Sequence, residues 1–151
     1  MKIRDIMTAQ PATATRNTTL AAAAPLLLGA DCGILPIVDG GKLVGVVTDR
    51  DMYIALATRN KPAAQLTVGE VATDKLSACD PDDDVHAALE TMASQRVRRL
   101  PVTQNGALVG VISMNDLVLA AGANKAVRND EVVATLQAIC AHPAKPVTAA
   151  A

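Results

Sequence analysis

Two hydroxyl–carboxylate pairs carry the most chemistry in this chain: Thr48 with Asp51, and Ser113 with Asp116. Each pair stands where an apolar, strand-like run, Leu43 to Val47 or Leu108 to Ile112, gives way to a helix-like run. A hydroxyl at such a junction lies beside the free N–H groups of a first helical turn, which suits a phosphate. A carboxylate three residues later falls one turn into the helix on the same side, where it can accept hydrogen bonds from a ligand. The same residues also make a plain N-cap with a first-turn acid, so both readings stand at this point. Cations lie close by: Arg50 in the first pair, and Arg96, Arg98 and Arg99 ahead of the second. Arg98 and Arg99 are adjacent in a strand-like run, so they point to opposite faces and do not both enter one cleft.

Other reactive residues suggest less. The acidic run Asp80 to Asp84 lacks the glycine and the terminal glutamate of a calcium loop and reads as a charged helix cap. Cys140 and His142 are close enough to share a metal, but two ligands do not make a site, and His86 is remote in sequence; no metal is expected. Cys32, Cys79 and Cys140 are odd in number and have no CxxC spacing, which predicts buried, reduced thiols. With no P-loop, GxSxG or HExxH and only two histidines, the chain is not expected to be an enzyme.

The elements that must position these residues occur twice. LPIVDGGKLVGVVTDRD, Leu35 to Asp51, aligns without a gap on the stretch 65 residues later, Leu100 to Asp116, with eight of seventeen residues identical. Both stretches hold two strands, 34–39 with 43–47 and 99–103 with 108–112, and Gly40-Gly41 and Asn105-Gly106 supply the positive φ of tight hairpins. A helix near Asp49 or Met114 follows each hairpin. A capped helix precedes each one, behind Asn17-Thr18-Thr19 or Asp82-Asp83-Asp84. The apolar faces of those leading helices are Leu20, Ala23, Ala24, Leu27 and Leu28, and Val85, Ala88, Leu89, Met92 and Ala93. Pro25 predicts a kink or early end in the first of them. Further upstream, IRDIMT (3–8) matches VGEVAT (68–73), and short extended pieces 12–15 and 77–80 also correspond. The order is strand, helix, strand, strand, helix, twice. Residues 61–67 read as a linker and 122–128 as a loop. A last helix from Asn129 presents Val132, Val133, Leu136, Ile139 and Cys140, and the tail HPAKPVTAAA should fray.

At 151 residues, half of them hydrophobic, the chain can build one domain, or two small units sharing one core. That core must consist of aliphatic residues and alanine, because one tyrosine is the only aromatic. A net charge of −1 gives no basic surface for nucleic acid or a membrane. Without a long apolar run or a signal-like N-terminus, a cytoplasmic location is expected.

GKLVGVVTDRDM and GALVGVISMNDL, each behind a Leu-Pro strand, resemble a tandem pair of cystathionine-β-synthase (CBS) domains, a Bateman module, and in particular the small bacterial two-CBS proteins. The resemblance implies an α/β (α+β) fold of two β-α-β-β-α repeats, 1–60 and 68–122, packed about a pseudo-twofold axis, with a C-terminal helix and tail over 123–151. It implies clefts that bind an adenosyl ligand as a regulatory signal, with no cofactor required. AMP or ADP is favoured and ATP possible, since the first cleft is short of cations. Asp51 or Asp116 would hold the ribose, and Thr48 or Ser113, with Arg50, Arg98 and Arg99, the phosphate. Ile34, Leu35 and Pro36, or Leu100 and Pro101, would sandwich the adenine. The partners implied are a second copy in a homodimer and a protein target of unknown identity. The other reading is a dimerisation adaptor whose clefts are vestigial.

Overall fold

The computed structural model describes residues 1–124 and 126–141, the side chain of Asn124 excepted. Its two hairpins follow from their turn residues. Strands β2 (Ile34–Asp39) and β3 (Lys42–Thr48) are joined by Gly40 and Gly41 at φ of 55° and 80°. Strands β4 (Arg99–Gln104) and β5 (Ala107–Ser113) turn through Asn105 and Gly106 at 52° and 82°. Positive φ at both central residues matches the right-handed twist of the flanking strands. The hairpins also share a register, Ile34 opposite Thr48 and Arg99 opposite Ser113, and both shift by one residue at the same point, after Ile37 and after Val102. Their tips meet through Lys42 and Ala107.

Helices α1 (Leu20–Gly29) and α2 (Asp49–Thr58) flank the first hairpin, and α3 (Val85–Gln95) and α4 (Met114–Asn124) the second. Thr19 caps α1 by accepting from the Ala22 N–H at 3.2 Å. Asp84 caps α3 by accepting from the His86 N–H at 3.0 Å. Helix α1 passes through Pro25 to Gly29, one residue shorter than α3, so the proline does not end it early. Pro25 forfeits one backbone bond, while Leu20, Ala23 and Leu27 keep the helix docked. The apolar face of α1 is narrower than its spacing suggests, because Ala24 and Leu28 are exposed. Helix α4 runs past Gly122 into the expected loop, anchored by buried Leu117, Ala120 and Ala121. Helix α5 (Asn129–Cys140) packs across α3 and α4 and buries Val132, Thr135 and Ile139, whereas Val133 and Cys140 face solvent. Of the three free cysteines only Cys79 is fully buried. The tail from His142 onward lies outside the described residues.

The opening segments behave differently from independent first strands. Ile3–Asp5 and Val68–Glu70 are single 3-10 turns. Strand β1 (Thr8–Ala9) then pairs with β5 of the second repeat, and Thr73 bridges to Val46 of the first. Each repeat thus adds its opening segment to the other's hairpin, giving a five-stranded antiparallel arrangement. The pieces at 12–15 and 77–80 stay within their own repeats as single parallel bridges, Ala14 to Ile37 and Cys79 to Val102.

The two apolar cores follow that exchange. Ile3 is packed with Val85, Met92, Leu100 and Ile112 of the second repeat, and Leu66 and Val68 with Leu20, Leu35 and Val47 of the first. Gly110 makes the crossing possible, because a Cβ there would lie 2.5 Å from Met7 Sδ and 3.0 Å from the Thr8 carbonyl. Gly45 has Thr73 beside it in the same way. Both glycines admit a neighbouring chain segment.

Candidate functional site

Thr48 ends β3 and is the N-cap of α2; Ser113 ends β5 immediately before α4. In the first repeat the Thr48 hydroxyl donates to Asp51 Oδ2 at 2.6 Å, the Thr48 N–H donates to the same oxygen at 3.0 Å, and the Asp51 N–H returns a bond to Thr48 Oγ1 at 3.2 Å. The second repeat repeats this with Ser113 and Asp116 at 2.7, 2.7 and 3.3 Å. These are reciprocal capping boxes that satisfy helix N–H groups at each strand end. Both carboxylates act through Oδ2, so Oδ1 of each stays outside the cap.

The apolar candidates divide by strand face. Leu35 and Leu100 belong to the two helix-side cores and are at most 1% exposed. Ile34, Pro36, Arg99 and Pro101 alternate with them and so point to the opposite face of their strands. Ile34, Pro36 and Pro101 are buried there and Arg99 is partly so. The side chains of Leu35 and Leu100 thus lie on the opposite strand face from Ile34, Pro36 and Pro101.

The arginines separate as strand alternation requires. Arg98 is exposed, and its Nη2 lies 4.0 Å from Cys140 Sγ at the end of α5. Arg99 instead reaches across to the first repeat, where its Nη1 ends 3.2 Å from the point a Cβ on Gly33 would occupy. Asp49 Oδ2 lies 3.0 Å from the same point. Gly33 stands where the second repeat has Arg98, and its missing side chain is the space these two groups fill. Arg50 is exposed on α2, and Arg96 is the left-handed C-cap of α3, with φ 55°.

Arg99, Asp49, Asp31 and Cys32 line a groove of about 600 Å³ together with Leu27, Leu28, Met52, Tyr53 and Leu56 of α1 and α2; of the site residues expected from the sequence, only Arg99 lines it. The sequence marks Arg99 as a candidate phosphate contact and gives no expectation for Asp31 or Asp49. The available signal was the contrast between Asp49 and its counterpart Met114, a charge placed in one copy only. Among the described residues, no group of three or more His, Cys, Asp or Glu side chains is arranged to hold a metal ion. None of the described helices is long and apolar enough to cross a membrane.

Two βαββα-type units that exchange opening segments, each ending a hairpin in a Thr/Ser-x-x-Asp capping box, define a paired regulatory-module fold. The CBS domain family profile matches residues 3–58 and again 68–122, and the chain belongs to that family. It is 33% identical over 117 residues to the CBS domain-containing protein YhcV of Bacillus subtilis, covering 78% of this chain and 83% of that protein. It is 35% identical over 115 residues to Hypoxic response protein 1 of Mycobacterium tuberculosis, covering 76% and 80%. Among solved structures it is similar to the CBS domain pair of protein MJ0100 in complex with 5′-methylthioadenosine and S-adenosyl-L-methionine. The TM-score is 0.73 at 30% identity, over 81% of this chain and 96% of that one.

Proposed function

We propose that this chain is a non-catalytic sensor that binds an adenine nucleotide, AMP or ADP in preference to ATP, in a cleft between its repeats and relays the occupancy to a partner protein. The observation that carries the reading is Arg99, a cation that the second repeat extends to Gly33 and Asp49 of the first, Asp49 being the residue that follows Thr48 in the Thr48–Asp51 cap. The Oδ1 atoms of Asp51 and Asp116 lie outside the caps and are suited to accept from ribose hydroxyls. Ile34, Pro36 and Pro101 offer apolar surface to a base, and Arg99, Arg98 and Arg50 offer charge to a phosphate. The carboxylate of Asp49 beside Arg99 lowers the net positive charge there, which disfavours a triphosphate. The adenosyl ligands named for the MJ0100 domain pair support the ligand class. Action as a homodimer in the cytoplasm on a separate protein target completes the proposal, and the exposed Leu28, Tyr53 and Leu56 of α1 and α2 provide a face for the second copy.

A specific observation favours the alternative of an adaptor with unused clefts: both capping boxes are complete without any ligand. Calorimetric titration of nucleotide-stripped protein with AMP, ADP, ATP and S-adenosylmethionine, repeated on Asp51→Ala and Asp116→Ala, separates the two. Micromolar binding abolished in one variant is the expected result and identifies the cleft. Silence with all four ligands refutes the sensor and leaves the adaptor.

A further inference from the structure

Helix α5 has no counterpart after the first repeat. It covers the α3–α4 face, whereas the matching α1–α2 face carries exposed Leu28 and Tyr53. Whether the second repeat presents such a face therefore depends on how α5 is held. The seam between α3 and α5 is incompletely packed near its start, where a cavity of about 320 Å³ is lined by His86, Glu90, Glu131 and Thr135 among others.

His86 spans that seam. Its Nδ1 contacts Asp84 Oδ1, and its Nε2 lies 3.4 Å from Glu131 Oε2 on α5. A neutral imidazole has a single N–H and can satisfy only one of these carboxylates, turning a lone pair toward the other. Only the imidazolium donates to both. We propose that His86 is a pH-dependent latch that holds α5 on the α3–α4 face while protonated and loosens it on deprotonation.

The surrounding charges agree. Asp84, the N-cap of α3, contacts the imidazole, Glu131 approaches it from α5, and Glu90 of α3 lines the same cavity. From the N-terminal segment, the Met1 amine pairs with Asp84 Oδ2 at 3.1 Å, and Arg4 and Lys2 are taken up by Asp82. Arg128, at the start of α5, pairs with Asp130. The hydrogen bond to Asp84 is the largest influence and raises the His86 pKa above the ordinary value; burial, the next largest, opposes it, and the charges of Glu131 and Asp84 add smaller upward contributions. A raised folded-state pKa contributes stability that is full below the unfolded value of roughly 6.5 and is lost as pH rises through the folded value. Because the ring is 46% exposed, solvent screens the pair, and the expected change in α5 opening is about two- to fivefold.

The test is amide hydrogen exchange of the full chain at pH 6 and pH 8.5, corrected for intrinsic rates, with the imidazole titration followed by NMR. In the wild type α5 should open about two- to fivefold more often at the higher pH. His86→Gln should open equally often at both. Glu131→Gln, which leaves the Asp84 cap untouched, should lower the His86 pKa and shrink the pH dependence. Unchanged α5 protection across the range overturns the latch, as does a pH dependence that survives in His86→Gln. If His86→Gln does not fold, an undiminished pH dependence in Glu131→Gln is equally decisive.

Discussion

Replacing Ile3 by alanine should weaken the second repeat, although Ile3 opens the first. Its side chain is completely buried among Val85, Met92, Leu100 and Ile112. The backbone around it is tied to the same repeat by bonds from the Ile3 N–H to the Asp83 carbonyl, from Arg4 to Pro81 and from Val85 to Met1, each 3.0 Å long. Truncation removes three carbons, worth about 0.8 kcal/mol each, or about 2.4 kcal/mol in transfer alone. The backbone bonds resist collapse into the space left behind, so a cavity contribution should bring the loss to about 3–4 kcal/mol. The paired experiment is Val68→Ala, since Val68 is equally buried but lies in the first repeat's core. Urea unfolding gives the magnitudes, and native-state hydrogen exchange gives the location. Ile3→Ala should deprotect α3, β4 and β5 first, and Val68→Ala should deprotect α1, β2 and β3 first. A loss below about 1 kcal/mol for Ile3→Ala, far under the usual range for such a truncation, would refute the exchange of segments. Deprotection confined to the first repeat would do the same.

Gly110→Ala should cost about 1–3 kcal/mol, because the new methyl meets the Thr8 carbonyl at 3.0 Å as well as the softer Met7 sulfur. Gly45→Ala should cost less, its nearest contacts being Ile37 Cδ1 at 3.2 Å and the Thr73 carbonyl at 3.4 Å. Equal urea midpoints for the two variants would contradict the asymmetry. The three cysteines should separate by reactivity at pH 8: exposed Cys140 should be labelled first, and Cys79 only when the second repeat opens. Burial, with a smaller contribution from Asp83, pushes the Cys79 thiol up to about 11, and its backbone is bonded to Pro101 and Thr103. Mass spectrometry of partially labelled protein showing Cys79 modified as fast as Cys140 would be incompatible with that burial.

The repeat made the hairpins and the two capped junctions legible, because turn chemistry is local: Gly40-Gly41 and Asn105-Gly106 adopt the positive φ that their residue types suggest. The Thr/Ser-x-x-Asp pairs were equally legible as caps, since three-residue spacing alone brings hydroxyl and carboxylate together. Partnership was not legible. IRDIMT and VGEVAT correspond so well that each reads as the opening of its own unit, and the preference of each for the other's hairpin depends on the space above Gly110 and Gly45. Burial on α1 and α5 was overread for a related reason. Leu28 and Val133 fit the helical period, but nothing in the described chain covers them, being 84% and 52% exposed. Asp31 and Asp49 escaped notice because the groove they line forms only when α1 and α2 pack side by side and Arg99 arrives from 50 residues beyond Asp49.

The differences between the copies collect on one side of the molecule. In the first repeat Gly33 replaces Arg98, Asp49 replaces Met114 and Arg50 replaces Asn115, and the second repeat's Arg99 leans into the space over Gly33. The second repeat receives nothing in return at the matching position, since Ile34 is apolar and buried, and its helical face is closed by α5. A charge donated across the pseudo-axis in one direction only ties the surroundings of Gly33 and Asp49 to the placement of β4. That placement rests on a core which Ile3 of the first repeat completes. Neither repeat can shift without the other, and the physical basis is two reciprocal burials, Ile3 in one core and Val68 in the other, together with one unreciprocated arginine.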